Sequence, residues 1–169
     1  MKYCLITWIV VISSIATGCT GYPRYLNFPF DGGGRALNSR ASDLEPQVTS
    51  TYIVFISDRN GSQDVYLFDA QQRQLISLPG LNALDEIASH PSISEDGRYL
   101  VFASSRQGKS NIYLYDRETE QKRNLTSNLQ AEVRHPIINA EGTQIAFEVA
   151  KDGQWDIMIY DLFGNPLEF

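Results

Sequence analysis

Two histidines stand 45 residues apart in matching surroundings, His90-Pro91-Ser92-Ile93 and His135-Pro136-Ile137-Ile138. Imidazoles brought together by a repeat could hold a transition metal or exchange a proton. A third copy of the position carries Glu45-Pro46, and the preceding residues Leu44, Ser89 and Arg134 show no ligand pattern. His90 and His135 are therefore expected to line a channel, with no metal. Asp69, Asp116 and Asp161 recur at a second matched position, where a carboxylate accepts hydrogen bonds from turn backbone. Asp58-Arg59-Asn60-Gly61 opens like a calcium loop but lacks the remaining oxygen ligands and the closing glutamate; it reads as a hairpin turn. Arg59 and Arg106 recur at that turn, as solvated rim charges able to meet a partner. Trp155 starts a strand just after Gly153. An exposed indole there would anchor an interface, and a buried one would fill the space between sheets.

Nothing else in the chain suggests catalysis. There is no Gly-x-Ser-x-Gly elbow, no His-Glu-x-x-His, no phosphate loop and no dinucleotide fingerprint. Gly32-Gly33-Gly34 precedes no strand–helix unit. With two histidines, a nucleophile–base pair has little to draw on, so neither enzyme activity nor a cofactor is expected. The 169 residues carry a net charge of −6, which argues against a nucleic-acid binder. Hydrophobic residues make up 43%, enough for one packed domain.

The elements that must position these residues come in three copies. Tyr99-Leu100-Val101-Phe102 recurs 45 residues later as Gln144-Ile145-Ala146-Phe147 and 47 residues earlier as Tyr52-Ile53-Val54-Phe55. Asn111-Ile112-Tyr113-Leu114-Tyr115-Asp116 has counterparts in Asp64–Asp69 and Asp156–Asp161. Each unit reads as four short strands. The first carries the His-Pro or Glu-Pro pair and runs into a turn, Asp96-Gly97 or Glu141-Gly142, shortened to Thr49-Ser50-Thr51 in copy one. The second is apolar on both faces, hence covered on both. The third is similar but richer in tyrosine. The fourth, Arg73–Leu78 or Lys122–Thr126, mixes polar and apolar residues and is abbreviated to residues 166–169 in copy three. Four-stranded sheets at this period predict an all-β fold of β-propeller type with three antiparallel blades.

The residues also resemble a known repeat. Copy two carries Pro91, Ser94, Asp96, Gly97, Phe102, Ser104, Arg106, Gly108, Ile112, Tyr113 and Asp116 in the spacing of the TolB-type propeller repeat. The likeness covers roughly residues 41–169 and implies a protein-binding scaffold. TolB itself is a periplasmic partner of a peptidoglycan-associated lipoprotein in the Tol–Pal system. This chain lacks TolB's N-terminal α/β domain and has three repeats against six blades. By family analogy the expected partner is an envelope protein such as a peptidoglycan-associated lipoprotein. An accessory or catalytic propeller of an envelope carbohydrate- or peptide-processing enzyme is the alternative.

Residues 1–18 read as a secretory signal: Lys2, then a nearly unbroken apolar run from Cys4 to Ala16, too short to span a bilayer comfortably. Ala16-Thr17-Gly18-Cys19 resembles the lipobox of bacterial lipoproteins, with Ala in place of the usual Leu. The resemblance implies cleavage before Cys19 and lipidation of its thiol. Residues 19–40 then form a tether, and residues 41–169 the repeat domain. Thr20 rather than Asp implies sorting to an outer membrane, facing the periplasm. An arc of three blades leaves two faces open, and two arcs joined by a twofold axis would give six blades, so a homodimer is one expected assembly. Covering of one open face by Leu26, Phe28, Phe30 and Leu37 is the other.

Overall fold

A computed structural model describes residues 35–168. The signal segment, Cys19, most of the tether, and Leu26, Phe28 and Phe30 lie outside the described residues. Among the described residues every regular element is a strand.

Blade one contains β1 (Asp43–Val48), β2 (Tyr52–Ser57), β3 (Asp64–Asp69) and β4 (Gln74–Ile76), paired antiparallel in that order. Blade two repeats the order with β5 (Ile87–Ile93), β6 (Tyr99–Arg106), β7 (Lys109–Asp116) and β8 (Gln121–Asn124). Blade three has β9 (Val133–Ile138), β10 (Gln144–Lys151) and β11 (Gln154–Asp161). The expected three four-stranded blades are thus two of four strands and one of three. The expected last strand contributes one bridge, Tyr160 to Pro166, and one hydrogen bond, from the Leu167 N–H to the Ile159 carbonyl at 2.8 Å. Proline has no N–H to extend a ladder.

The two-sided strands are two-sided because blades stack face to face. Val54, Ile56 and Leu67 of blade one pack on Leu100, Phe102 and Tyr115 of blade two. Val101, Ala103 and Leu114, on the other face of blade two, pack on Ile145, Phe147 and Val149 of blade three. Fully burying a side chain of this size stabilises by about 1.5–3 kcal/mol, so the two interfaces hold the arc together.

Polar ties repeat with the same period. The Gln47 side-chain oxygen accepts the Ile93 N–H at 2.7 Å, and Ser92, its counterpart in blade two, accepts the Ile138 N–H at 3.2 Å. Tyr52 lies against Gly97, and Tyr99 against Gly142. Blade three has Ile137 and Gln144 at these places. It therefore lacks both devices by which one blade grips the next.

Candidate functional site

The innermost strands β1, β5 and β9 each carry a bulge at the same point, between Leu44 and Gln47, between Ser89 and Ser92, and opposite Ala146–Glu148. The bulged residues are Glu45, His90 and His135, with φ of 49°, 49° and 51°. Each precedes a proline, which bars the right-handed helical conformation. A non-glycine residue in the left-handed region costs on the order of 1–2 kcal/mol. Three such residues at one repeated position re-aim three side chains in the same way.

They meet there in a row. Glu45 accepts a short hydrogen bond from the His90 N–H, with its other oxygen 3.6 Å from His90 Nε2. The His90 and His135 rings stand edge to face, centroids 4.0 Å apart. His135 Nδ1 lies 3.0 Å from Glu148 Oε1, and Arg134 Nε donates to Glu148 Oε2 at 2.6 Å. The Arg134 guanidinium lies over the Trp155 ring at 3.7 Å, a cation–π contact. The row thus runs from blade one across blade two to the outer face of blade three. The structure brings together His90, His135 and Trp155. Trp155 is 40% exposed, on the open face rather than between sheets.

Glu148 and Arg134 are the members that the repeat did not flag. The signal was present: Glu148 occupies the position of Ile56 and Ala103 in strands otherwise apolar there. Among the described residues, no group of three or more His, Cys, Asp or Glu is arranged to hold a metal ion.

Charges along the row oppose one another. Burial pushes the His90 imidazole below the ordinary histidine value; Glu45 pulls the other way, His135 and Arg134 add to the lowering, and Glu148 opposes it. Hydrogen bonds from Arg134 and His135 hold the Glu148 carboxyl below the usual glutamate range. For both groups the unfolded chain takes up a proton more readily than the folded one. Their stabilisation is complete above about pH 6.5 for His90 and about pH 4.3 for Glu148, and is lost on acidification. The melting temperature should fall by a few degrees at most between pH 7 and pH 5, because these side chains are partly solvated. His90→Asn, which tolerates the left-handed backbone, should flatten the upper part of that decline. Superimposable pH profiles for the two proteins would refute the assignment.

The two arginines of the hairpin turns part company. Arg106 is exposed and pairs with Asp85, as a rim charge does. Arg59 is not a rim charge: its side chain is 5% exposed, and it pairs with Asp43 at 2.6 Å. It donates to the carbonyls of Ala36 and Leu37, both at 2.9 Å, and lies over Tyr66 and Phe55. The cause is positional. Among the described residues no blade precedes blade one, and its outward aromatic face is closed by Arg59 and the chain segment that Arg59 holds. Asp69, Asp116 and Asp161 each accept backbone N–H groups of the following turn at 2.8–2.9 Å.

Stacked antiparallel sheets of four, four and three strands, each with a bulge at the same place on its first strand, define an open arc of β-propeller blades. No family model matches the sequence, and no curated protein is similar to it. Among solved structures, the arc is similar to TolB from Acinetobacter baumannii, with 25% identity and a TM-score of 0.61 over 77% of this chain and 32% of that one. It also resembles the β-propeller domain of the trilobed protease from Pyrococcus furiosus, at 19% identity and a TM-score of 0.57 over 76% and 41% of the two chains. A puromycin-hydrolyzing peptidase from Mycobacterium tuberculosis matches at 17% identity and a TM-score of 0.56, over 75% and 20%. The chain spans about a third of the length of the Acinetobacter TolB.

Proposed function

We propose that this chain is a lipid-anchored protein of the bacterial cell envelope whose blades form a scaffold for docking an envelope protein or a cell-wall component. The observation that carries this reading is the likeness to TolB over 77% of the chain, supported by Ala16-Thr17-Gly18-Cys19. Rigid blades presenting loops and edges are suited to recognition. In this reading the lipid on Cys19 holds the arc at the outer membrane, facing the periplasm. The partner is a protein of the Tol–Pal type, a peptidoglycan-associated lipoprotein being the first to test. A second reading, an accessory propeller of a peptide-processing enzyme, draws support from the two peptidase propellers of the same fold.

Stable anchoring needs more than one acyl chain, and Cys19 is the attachment point. In a bacterial host, Cys19→Ala should abolish acyl labelling and release the protein from the membrane fraction. An unprocessed chain that stays in the membrane would overturn the anchoring. Crosslinking in intact cells tests the docking: an envelope lipoprotein among the products supports the scaffold, and a hydrolase in its place supports the second reading.

A further inference from the structure

The hairpin of blade one differs from the other two. In blades two and three the second and third strands pair as far as Arg106 with Lys109 and Lys151 with Gln154, so two-residue turns close them. In blade one the pairing stops at Ser57 with Asp64, which leaves residues 58–63 outside the ladder. Within that loop stands Asp58-Arg59-Asn60-Gly61-Ser62. An Asn followed two places later by Ser or Thr, with no proline between, is the acceptor signal for N-linked oligosaccharide on a surface loop of an exported protein. Asp58, two places upstream and exposed, adds a carboxylate that a cationic site on a transferase can bind. The Asn60 amide is accessible. Asn60 and Gly61 are exposed, and a methyl built on Gly61 meets nothing within 4 Å. Among the described residues no hydrogen bond engages the Asn60 amide. The loop is held by local bonds, from the Gly61 N–H to the Asp58 carbonyl at 2.8 Å and from Ser62 Oγ to Asp64 Oδ1 at 3.0 Å.

The same signal occurs once more, in Asn124-Leu125-Thr126, and there the fold withholds it. Asn124 is half-buried in β8, paired with Tyr113, and its Oδ1 accepts the Thr126 N–H at 3.0 Å. The Thr126 hydroxyl is buried and accepts the Ile112 N–H at 2.9 Å. Two places upstream stands Lys122, of the opposite charge to Asp58. We propose that Asn60 is a site of N-linked glycosylation. The donor is an oligosaccharide joined through a diphosphate to a polyprenyl lipid, and the catalyst is a separate oligosaccharyltransferase. Asn60 Nδ2 attacks the anomeric carbon: one C–N bond forms, the C–O bond to the diphosphate breaks, and the polyprenyl diphosphate leaves. The amide nitrogen gives up one proton to a base of the transferase, and nothing is oxidised or reduced. The product is a bulky, hydrated group on a surface turn, a place the fold provides at Asn60 and not at Asn124. This proposal rests on the envelope reading above, since such transfer takes place outside the cytoplasm.

The test has two arms. The full-length chain is expressed in a bacterial host that carries a periplasmic oligosaccharyltransferase and its lipid-linked oligosaccharide, and the purified chain is offered the same two components in detergent micelles. Mass spectrometry should find the oligosaccharide on the peptide that contains Asn60 and none on the peptide that contains Asn124. Asn60→Gln, at an exposed position, should abolish the modification and leave the melting temperature of the unmodified chain unchanged. Ser62→Ala should abolish it as well, Ser62→Thr should keep it, and Asp58→Asn should lower its occupancy. An unmodified chain recovered from the envelope fraction would overturn the proposal. So would modification that persists in Asn60→Gln, or equal occupancy at Asn124. Transfer in micelles to a chain that stays in the cytoplasm of the cells would sink the envelope reading and spare the acceptor site. No transfer in either arm would sink the site wherever the chain resides.

Discussion

Phe102→Ala should lower the melting temperature by roughly 10 °C or more, the largest loss among the three equivalent phenylalanines. Phe102 is 1% exposed, stacks on Tyr113 at 5.7 Å and fills the interface between blades one and two. Truncating a core phenylalanine costs about 3–5 kcal/mol, and each kcal/mol moves the midpoint by about 2–4 °C in a chain of this size. Phe147 is as buried but serves the interface between blades two and three, at the end of the arc. Phe55 points away from blade two, between Tyr66 and Arg59. Nearest-neighbour coupling makes the middle blade the one whose loss disconnects the array. Phe55→Ala should cost least, because the Arg59 stem can settle toward the space. Equal shifts for all three would mean that blades do not stabilise one another.

The blades were readable because the repeat supplied three independent copies of each strand. Its register places Glu45, His90 and His135 at one level, each followed by a proline. The left-handed conformation of the three was not legible, since no local rule forces a histidine there; it follows from the bulge against the second strand. Glu148 went unremarked because a repeat is read from its agreements, and Glu148 is a disagreement. The same blindness misassigned Arg59. In sequence it matches Arg106, but Arg106 belongs to the middle blade, whereas Arg59 belongs to blade one and lies over the aromatic face turned away from blade two. The reduction of blade three's last strand to a bridge among the described residues was partly visible as Pro166.

Gly97→Ala should be more damaging than any other glycine-to-alanine change tested in the domain, and for a separable reason. Gly61, Gly97 and Gly108 all have positive φ, of 92°, 73° and 78°, so alanine is strained at each by on the order of 1–2 kcal/mol. At Gly61 and Gly108 an added methyl meets nothing within 4 Å. At Gly97 it would overlap the Tyr52 ring and stand 2.8 Å from Arg117 Nη1, where that guanidinium lies over the same ring at 5.1 Å. The ring must move, and with it the tie between blades one and two. Overpacking of this kind adds about 1–3 kcal/mol. A double-mutant cycle separates the two parts. Tyr52→Ala removes the obstacle, so Gly97→Ala should then cost only what Gly61→Ala costs, a coupling within the range of roughly 0.5–3 kcal/mol seen for touching residues. The expected ordering in chemical denaturation is Gly97→Ala alone, then Gly108→Ala and Gly61→Ala together. Strict additivity of Tyr52→Ala and Gly97→Ala would show that the close approach of ring to turn does not hold these two blades together.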